Sequence, residues 1–375
     1  MSAATGSVTI AGGGIAGLAV ARALARAGRD VTLHERAPEF TEVGAGLQIS
    51  PNGMRALAAL GLDAELREVA VASRGVRLVD GLSGRVILSL APRGTTMFVH
   101  RARLVEVLKT GAEAAGAVLR TGSTVTPDTA RGDLVVGADG IRSAFREAIE
   151  GAAAPRFTGQ AAWRAVIRDP VAEPVAEVFL GPGRHLVSYP LAGGLRNIVA
   201  AEDRVDWTAE GWHQEDTPLA LRGAFARFPA KVQQWLAEVE RVHVWGLFRH
   251  PVATRWHDET RVLAGDAAHP TLPYLAQGAN LALEDAVVLA RALAGQNLDG
   301  QTGRPGLDAY AAHRRRRAEA VVAAANANAR RFHLANPLVR QAAFAALRLR
   351  ERVSPGRAAR GFDWVWNYDP ARAAL

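Results

Sequence analysis

The stretch Val8–Glu35, reading VTIAGGGIAGLAVARALARAGRDVTLHE, restricts this chain more than any other. The β-branched run Val8-Thr9-Ile10 suits a buried parallel strand. The turn after it, Gly12-Gly13-Gly14-Ile15-Ala16-Gly17, matches G-x-G-x-x-G through Gly12, Gly14 and Gly17. An Ala/Leu-rich helix follows to about Ala27 with Gly28 as its stop, and a second strand, Asp30–His34, ends in Glu35. Gly12 permits the tight turn, Gly14 has no Cβ to keep a pyrophosphate from the backbone, and Gly17 lets helix and strand pack closely. The helix opens at Ile15 and Ala16, whose N–H groups and positive dipole end face the phosphates. Glu35 stands where a carboxylate accepts the ribose hydroxyls of an adenosine. The competing reading is a glycine turn in an ordinary α/β unit. The strand before it, the helix after it and the acid at the expected distance favour a dinucleotide site, without distinguishing NAD(P) from FAD.

With 375 residues the chain is long enough for a sizeable core and two or three subdomains. Cysteine is absent, which excludes disulfides, a thiol nucleophile and a Cys-ligated metal. Any redox reaction must then be carried by a bound cofactor. The formal charge is +8, and every basic residue except Lys109 and Lys231 is Arg. The arginines are scattered, and the one dense run, Arg314–Arg317, lies in a helical pattern near Glu319, so a nucleic-acid surface is not expected. A positive field would help gather an anionic substrate. Ten dispersed histidines without H-E-x-x-H give no expected metal site. The apolar N-terminal stretch has no basic leader and is broken by five glycines, so it reads as the first β-α unit rather than a signal or membrane span. A cytoplasmic location is the expectation.

Further along, Gly44 and Gly46 mark a loop, Ser50-Pro51-Asn52 a helix start, and Gly61 the end of a helix over Met54–Leu60. Gly75–Val79 and Arg85–Leu90 flank a turn and predict a hairpin. Helix Leu104–Ala115 follows His100-Arg101, and Val118–Leu119 and Ser123–Val125 predict two short strands. Asp133–Arg146, DLVVGADGIRSAFR, is a buried strand leading into Asp139-Gly140 and a helix from near Ser143. Between about Phe157 and Arg261 lie short strand patterns interrupted by a helical insertion, Pro218–Val239, which predict an antiparallel sheet with no phosphate-binding glycines. The strand Arg261–Ala264 then ends in Gly265-Asp266, and a loop with Pro273 leads to Gln277-Gly278-Ala279-Asn280 and a helix over Leu281–Leu293 carrying Glu284-Asp285. Residues 308–350 are helical, and Phe362–Pro370 form an aromatic closing segment.

Four pieces in fixed order, GGGIAG, VHRARL, GADGIRS and GDAAHPTLPYLAQGANLALEDA, resemble the single-component FAD-dependent aromatic hydroxylases, the group A flavoprotein monooxygenases of the p-hydroxybenzoate hydroxylase fold. The nearest resemblance is to salicylate and 3-hydroxybenzoate hydroxylases, and it spans nearly the whole chain. It implies a mixed α/β fold: a Rossmann-like FAD-binding domain from 1–74, 100–156 and 261–295, interleaved with an antiparallel β-sheet substrate domain from 75–99 and 157–260, and a helical C-terminal segment over 296–375. It implies that Gly12, Gly14 and Gly17 take the pyrophosphate, with Glu35 and Arg36 on the adenosine side and Val125 flanking the adenine. Gly46 and Gln48 would lie by the flavin, Arg101 would contact FAD, and Asp139 would serve FAD and NAD(P)H. Asp266, after Gly265, would hold the ribityl chain, Pro273 would lie by the ring, and Gly278, Ala279 and Asn280 would meet its pyrimidine edge. Arg103 departs from the acid many relatives carry there, which concerns only a helix-capping detail.

The implied reaction uses NADH or NADPH to reduce FAD, after which O2 adds at C4a and the hydroperoxide hydroxylates an electron-rich ring. The protein must hold the ring, exclude water and deprotonate a phenol. The absence of a second G-x-G-x-x-G unit implies that NAD(P)H binds transiently. His213, in EGWHQED, is one candidate base, with an exposed loop histidine as the competing reading. His185 and Tyr189 share one strand and one face, which plain packing also produces. Arg164 or Arg184 is a candidate partner for a substrate carboxylate, and His269 is expected to order backbone. A flavin oxidase or dehydrogenase of a small amine or alcohol, working without NAD(P)H, is the main alternative. Halogenase chemistry, suggested by Trp364-Val365-Trp366, lacks the Ile-Pro that completes that motif, and a flavin-bound sensor would show no turnover. A monomer or homodimer is expected.

Overall fold

In the computed structural model, which describes residues 6–40, 45–152, 155–205, 214–298 and 304–375, the branched run at the head of the first motif lies in strand Ser7–Ala11, buried from Val8 onward. It is the middle of a five-stranded, all-parallel sheet in the order Arg261–Leu263, Leu134–Gly137, Ser7–Ala11, Asp30–His34, Val118–Arg120. Three sequence motifs thus become neighbours, because the turns at Gly12, Asp139 and Gly265 all follow the carboxyl ends of adjacent strands. Gly12 has φ +105°, a conformation open to glycine and strained for other residues. At Gly17 a Cβ would come within 1.9 Å of the Gly12 carbonyl oxygen, so helix Ile15–Arg26 packs against the turn only because that residue is glycine. The helix ends at Ala27 and Gly28, and it lies against helices Arg101–Ala114 and Gly278–Ala292.

Two local expectations change. Ser123–Val125 forms no strand: Gly122 turns the chain with φ +62°, and Gly122 and Ser123 donate to the Ala37 and Glu35 carbonyls beyond the sheet edge. Gly46 begins a strand, Gly46–Ile49, rather than a loop, and pairs with Met97–His100, which also pairs with Ala70–Ala72. The Gly46 N–H donates to Asn197 Oδ1 at 2.7 Å, which seats this small sheet against the larger one.

The larger sheet has eight strands in the order Gln214–Asp216, Val242–Arg249, Arg156–Arg168, Leu195–Asp203, Arg184–Leu191, Ala176–Gly181, Val76–Asp80, Val86–Leu90. The hairpin expected between residues 75 and 90 forms its edge. One pairing departs from the antiparallel expectation: Val76–Asp80 and Ala176–Gly181 run parallel. Their starting ends are pinned together, since Arg74 N–H donates to the Pro174 carbonyl and Ala176 N–H to the Gly75 carbonyl, so both strands leave in one direction. Side-chain alternation divides the sheet. Trp163, Phe179, Leu186 and Ile198 face helices Pro218–Ala224 and Ala230–Ala237 and pack with Phe225, Phe228 and Trp235. The opposite face turns toward the parallel sheet.

Helices Arg304–Phe332 and Pro337–Val353 close the fold. Within the basic run, Arg315 and Arg316 are exposed while Arg314 is wholly buried. Its Nη1 meets Glu284 Oε2 at 2.6 Å and its Nε meets Asp285 Oδ1 at 2.8 Å. Arg317 adds a second contact to Glu284, at 2.7 Å. Removing one member of a buried ion cluster leaves uncompensated charge, so Arg314→Met is expected to lower unfolding free energy by about 3–5 kcal/mol in urea titrations. A loss below about 1 kcal/mol would place the cluster in the range of surface pairs. Among the described residues, no helix is long and apolar enough to cross a membrane.

Candidate active site

Between the carboxyl ends of the parallel strands and the open face of the large sheet lies a groove of about 340 Å³. At one end it is walled by Gly14, Ile15 and Ala16, and a Cβ built at Gly14 would meet nothing within 4 Å. Nothing in the protein's own packing demands glycine there, whereas a ligand lying against the backbone would. The Ile15–Arg26 helix has no side-chain cap on its first N–H groups. Helix Gly278–Ala292 is likewise uncapped, with Gly278 and Ala279 on the groove wall. Two positive helix ends therefore face one groove.

Asp266 lies between them, at the end of its strand, with its side chain open to the groove. Desolvation by the protein around the groove pushes its carboxyl above the usual aspartate range, against the attraction of His269 and of Arg101, which also lines the groove. Burial in turn lowers the Arg101 guanidinium, and Asp266 opposes the shift. Gly265 takes φ +63°, its N–H donates to Asp285 Oδ2 at 2.9 Å, and a Cβ there would lie 2.5 Å from that of Ala16. His269 is fully buried and meets the same Asp285 oxygen at 2.6 Å, consistent with a backbone-ordering residue. Pro273 opens a short turn ending at Ala276, whose φ of +51° is the only positive value among the described non-glycine residues. Such strain is concentrated at functional sites.

Several predicted residues serve the wall rather than forming it. Glu35 accepts from Gly13 N–H at 2.6 Å and from Ala37 N–H at 2.8 Å, and so braces the glycine turn. Arg36 is exposed, and Val125 packs against the core. The Asp139 carboxylate accepts from the Ser143 hydroxyl and from Ala144 N–H, capping helix Ala144–Glu150, while its neighbours Ala138 and Gly140 line the groove. The side chain of Asn280 turns inward: it accepts from Ser50 N–H and donates to the Gln48 and Ala276 carbonyls. It holds Gln48, itself on the wall beside Gly46, in place of offering a free amide.

The far end of the groove is floored by the large sheet. Arg164, His185, Val187, Tyr189 and Val199 share its open face, with Trp245 beside them. Arg164 is partly buried, its guanidinium 4.5 Å from the centre of the Trp245 ring and its buried Nε without a hydrogen-bond partner. Burial lowers its pKa to about 10, with Tyr189 opposing and Arg101 adding to the shift. Arg184, the other candidate carboxylate partner, is off this wall, bonded to the Ala224 carbonyl and 3.9 Å from Glu202. Burial raises the Tyr189 phenol well above its ordinary range, so it stays protonated. That state suits a donor and does not suit a base. His185 goes the other way: burial, then the neighbouring His333, hold it well below the usual histidine value. His213 lies outside the described residues. The two tail tryptophans do not line the groove, and the Trp366 carbonyl accepts from Arg55.

A family model described as an FAD binding domain matches residues 5–127 and 85–325. The chain is 36% identical over 389 residues to the 3-amino-4-hydroxybenzoate 2-monooxygenase PtmB3 of Streptomyces platensis, covering 96% of this chain and 95% of that one. The chain belongs to the FAD-dependent aromatic monooxygenases. A second relative of this monooxygenase, 3-hydroxybenzoate 6-hydroxylase of Klebsiella oxytoca, is 32% identical over 79% of this chain and 81% of its own. Among solved structures, Klebsiella pneumoniae R204Q HpxO complexed with FAD superposes with a TM-score of 0.82 at 24% identity, over 94% of this chain and 97% of that one, which shows the shared fold. The protein is therefore an enzyme with FAD as its cofactor, and the oxidase alternative is set aside. Enzymes of this class act on small aromatic compounds with O2 and reduced nicotinamide.

Proposed function

We propose that this monooxygenase hydroxylates a small aromatic acid whose carboxylate is paired by Arg164 and whose ring hydroxyl faces His185. The observation that carries the reading is a partly buried arginine on the groove wall whose Nε is buried without a hydrogen-bond partner. Burying a cation's donor without a partner is costly, and an anionic ligand would relieve that cost. In the sheet Arg164 stands on the rung of Val199 and Val187, and His185 on the next rung two strands away. That separation is roughly 12 Å between Cα atoms. The two side chains therefore approach a ring from different sides, which favours a hydroxyl meta or para to the carboxylate over an ortho one. The relative that acts on 3-amino-4-hydroxybenzoate has a para arrangement in its named substrate.

The residues around the groove fit the cofactor. Gly14, Ile15 and Ala16, behind the Gly12 turn, would admit its pyrophosphate, Glu35 and Arg36 would stand on the adenosine side with Glu35 bracing that turn, and Asp266 would offer a carboxylate to the ribityl hydroxyls. Gly278 and Ala279 would direct a helix N-terminus at the ring, with Gly46, Gln48, Arg101 and Pro273 around it. Bound FAD supplies the redox chemistry, taking electrons from reduced nicotinamide and delivering one atom of O2 to the aromatic ring. His185, held neutral by its surroundings, accepts the hydroxyl proton and so raises the electron density of the ring. Tyr189 stays protonated and donates a hydrogen bond. Val187, Val199 and Trp245 keep the floor dry.

The test follows NADH and NADPH oxidation across 2-, 3- and 4-hydroxybenzoate, 3-amino-4-hydroxybenzoate, hydroxynicotinates, urate and the phenols lacking a carboxylate, with products identified by mass. A meta- or para-hydroxylated acid that accelerates oxidation and gains one oxygen is the expected result. A phenol without carboxylate that serves equally well would remove Arg164 from its role.

A further inference from the structure

Behind the groove a line of titratable side chains runs from its floor to the surface. His185 Nδ1 lies 2.7 Å from His333 Nε2, and His333 Nδ1 lies 2.5 Å from Asp203 Oδ1. The three come from separate elements: the middle of the large sheet, the residue after helix Arg304–Phe332, and the end of strand Leu195–Asp203. The first two are buried, whereas the Asp203 side chain is 49% exposed. Gln160 braces the line: its Nε2 lies 3.0 Å from Asp203 Oδ1 and 3.1 Å from His333 Nδ1, so with Nδ1 protonated it donates to the carboxylate, while its carbonyl accepts from Tyr274. The rings of Tyr274 and Phe332 lie against His185 and shield it.

We propose that His185, His333 and Asp203 form the exit path for the substrate's hydroxyl proton, with His333 as the positioning residue that fixes the tautomer of His185. The proposal rests on His185 being the base. Ionised Asp203 accepts the Nδ1 proton of His333, which leaves His333 Nε2 as an acceptor. His185 then donates from Nδ1 and presents the lone pair of Nε2, for which no hydrogen bond is found among the described residues. When the substrate O–H breaks, its proton forms an N–H bond at His185 Nε2 and the Nδ1 proton moves to His333 Nε2. The former Nδ1 proton of His333 passes to Asp203 and so to water. The balance is one phenolate in the groove and one proton in solvent, with nothing oxidised. Direct contact between the two imidazoles disfavours charge on both, so the proton does not come to rest on His185. The other groups facing the line are Gln160, which is neutral, and Tyr274, which burial keeps protonated with Arg249 nearby.

The experiment uses the FAD-loaded enzyme with 3-hydroxybenzoate, 4-hydroxybenzoate and 3-amino-4-hydroxybenzoate as probes. Phenol and phenolate are distinguished by ultraviolet difference spectra across pH, and proton release on binding is followed with an indicator dye in stopped flow. Wild type is expected to bind a probe as phenolate at neutral pH with stoichiometric proton release. His333→Gln and Asp203→Asn should keep FAD and probe affinity, yet raise the pKa of the bound phenol by about one unit and slow proton release roughly tenfold. Asp203→Asn, at a half-exposed position, serves where His333→Gln fails to fold. Wild-type release rates in both variants, with His185→Gln defective, would overturn the exit path and leave the base in place. An unchanged phenolate signal in His185→Gln, a probe bound as neutral phenol by wild type, or failure of all three to bind would overturn the base reading and the path with it.

Discussion

Asp266→Ala is expected to purify colourless. The Asp266 oxygens accept no hydrogen bond from a described residue, and the side chain faces the groove between two uncapped helix ends. A carboxylate held there above its ordinary pKa is costly for the protein alone. Hydroxyl groups of a bound cofactor would relieve that cost through charge-assisted hydrogen bonds. Losing them removes about 2–3 kcal/mol of binding, roughly thirtyfold to 150-fold in affinity. The ratio of visible to ultraviolet absorbance after purification measures the outcome directly. The variant apoprotein should unfold at or above the temperature of wild-type apoprotein, because the side chain holds no other part of the fold and its charge is unfavourable there without a ligand. Full flavin retention would remove Asp266 from the cofactor site.

Arg164→Met should show the opposite pairing of effects, with activity lost and stability gained. Replacing a partly buried cation that lacks an ion-pair partner by an apolar side chain of similar length is expected to raise stability by about 1–3 kcal/mol. Against the aromatic acid that the enzyme uses, kcat/KM should fall by about 2–4 kcal/mol, roughly thirtyfold to a thousandfold, chiefly through KM. Discrimination against the phenol lacking a carboxylate should shrink in proportion. Arg164→Lys should restore little, since a point charge cannot both cover Trp245 and fork onto a carboxylate. If the acid and the phenol lose equally, Arg164 contributes shape and not charge recognition.

How much of this was visible beforehand depended on whether the cause was local. The Gly12–Gly17 turn, the Ser50 start and Gly61 stop of helix Pro51–Leu60, and the 75–90 hairpin follow from neighbouring residues, and all of them stand in the structure. The motif marks Asn280 as a site residue, but its side chain bonds inward to Ser50, the first residue of a helix start 230 residues earlier, which no local pattern reports. Arg314 is chemically identical to Arg315 and Arg316, and only its place opposite Glu284 and Asp285 distinguishes it. For Arg164 the period of two places it opposite Trp163, yet which face meets the groove depends on the whole sheet. His333 and Asp203 carried no signal at all. They are 130 residues apart, and the fold alone brings them together.

The parallel pairing of Val76–Asp80 with Ala176–Gly181 has a consequence for recombination among relatives. Because the edge hairpin is encoded far upstream of the strands it completes, a crossover anywhere between residues 90 and 156 splits the large sheet between two parents. A chimera that exchanges Arg156–Arg249 alone inherits a foreign edge. A functional graft must carry both pieces together, so homologous exchange is expected to tolerate junctions at the outer ends of the two pieces and to be purged of those between them.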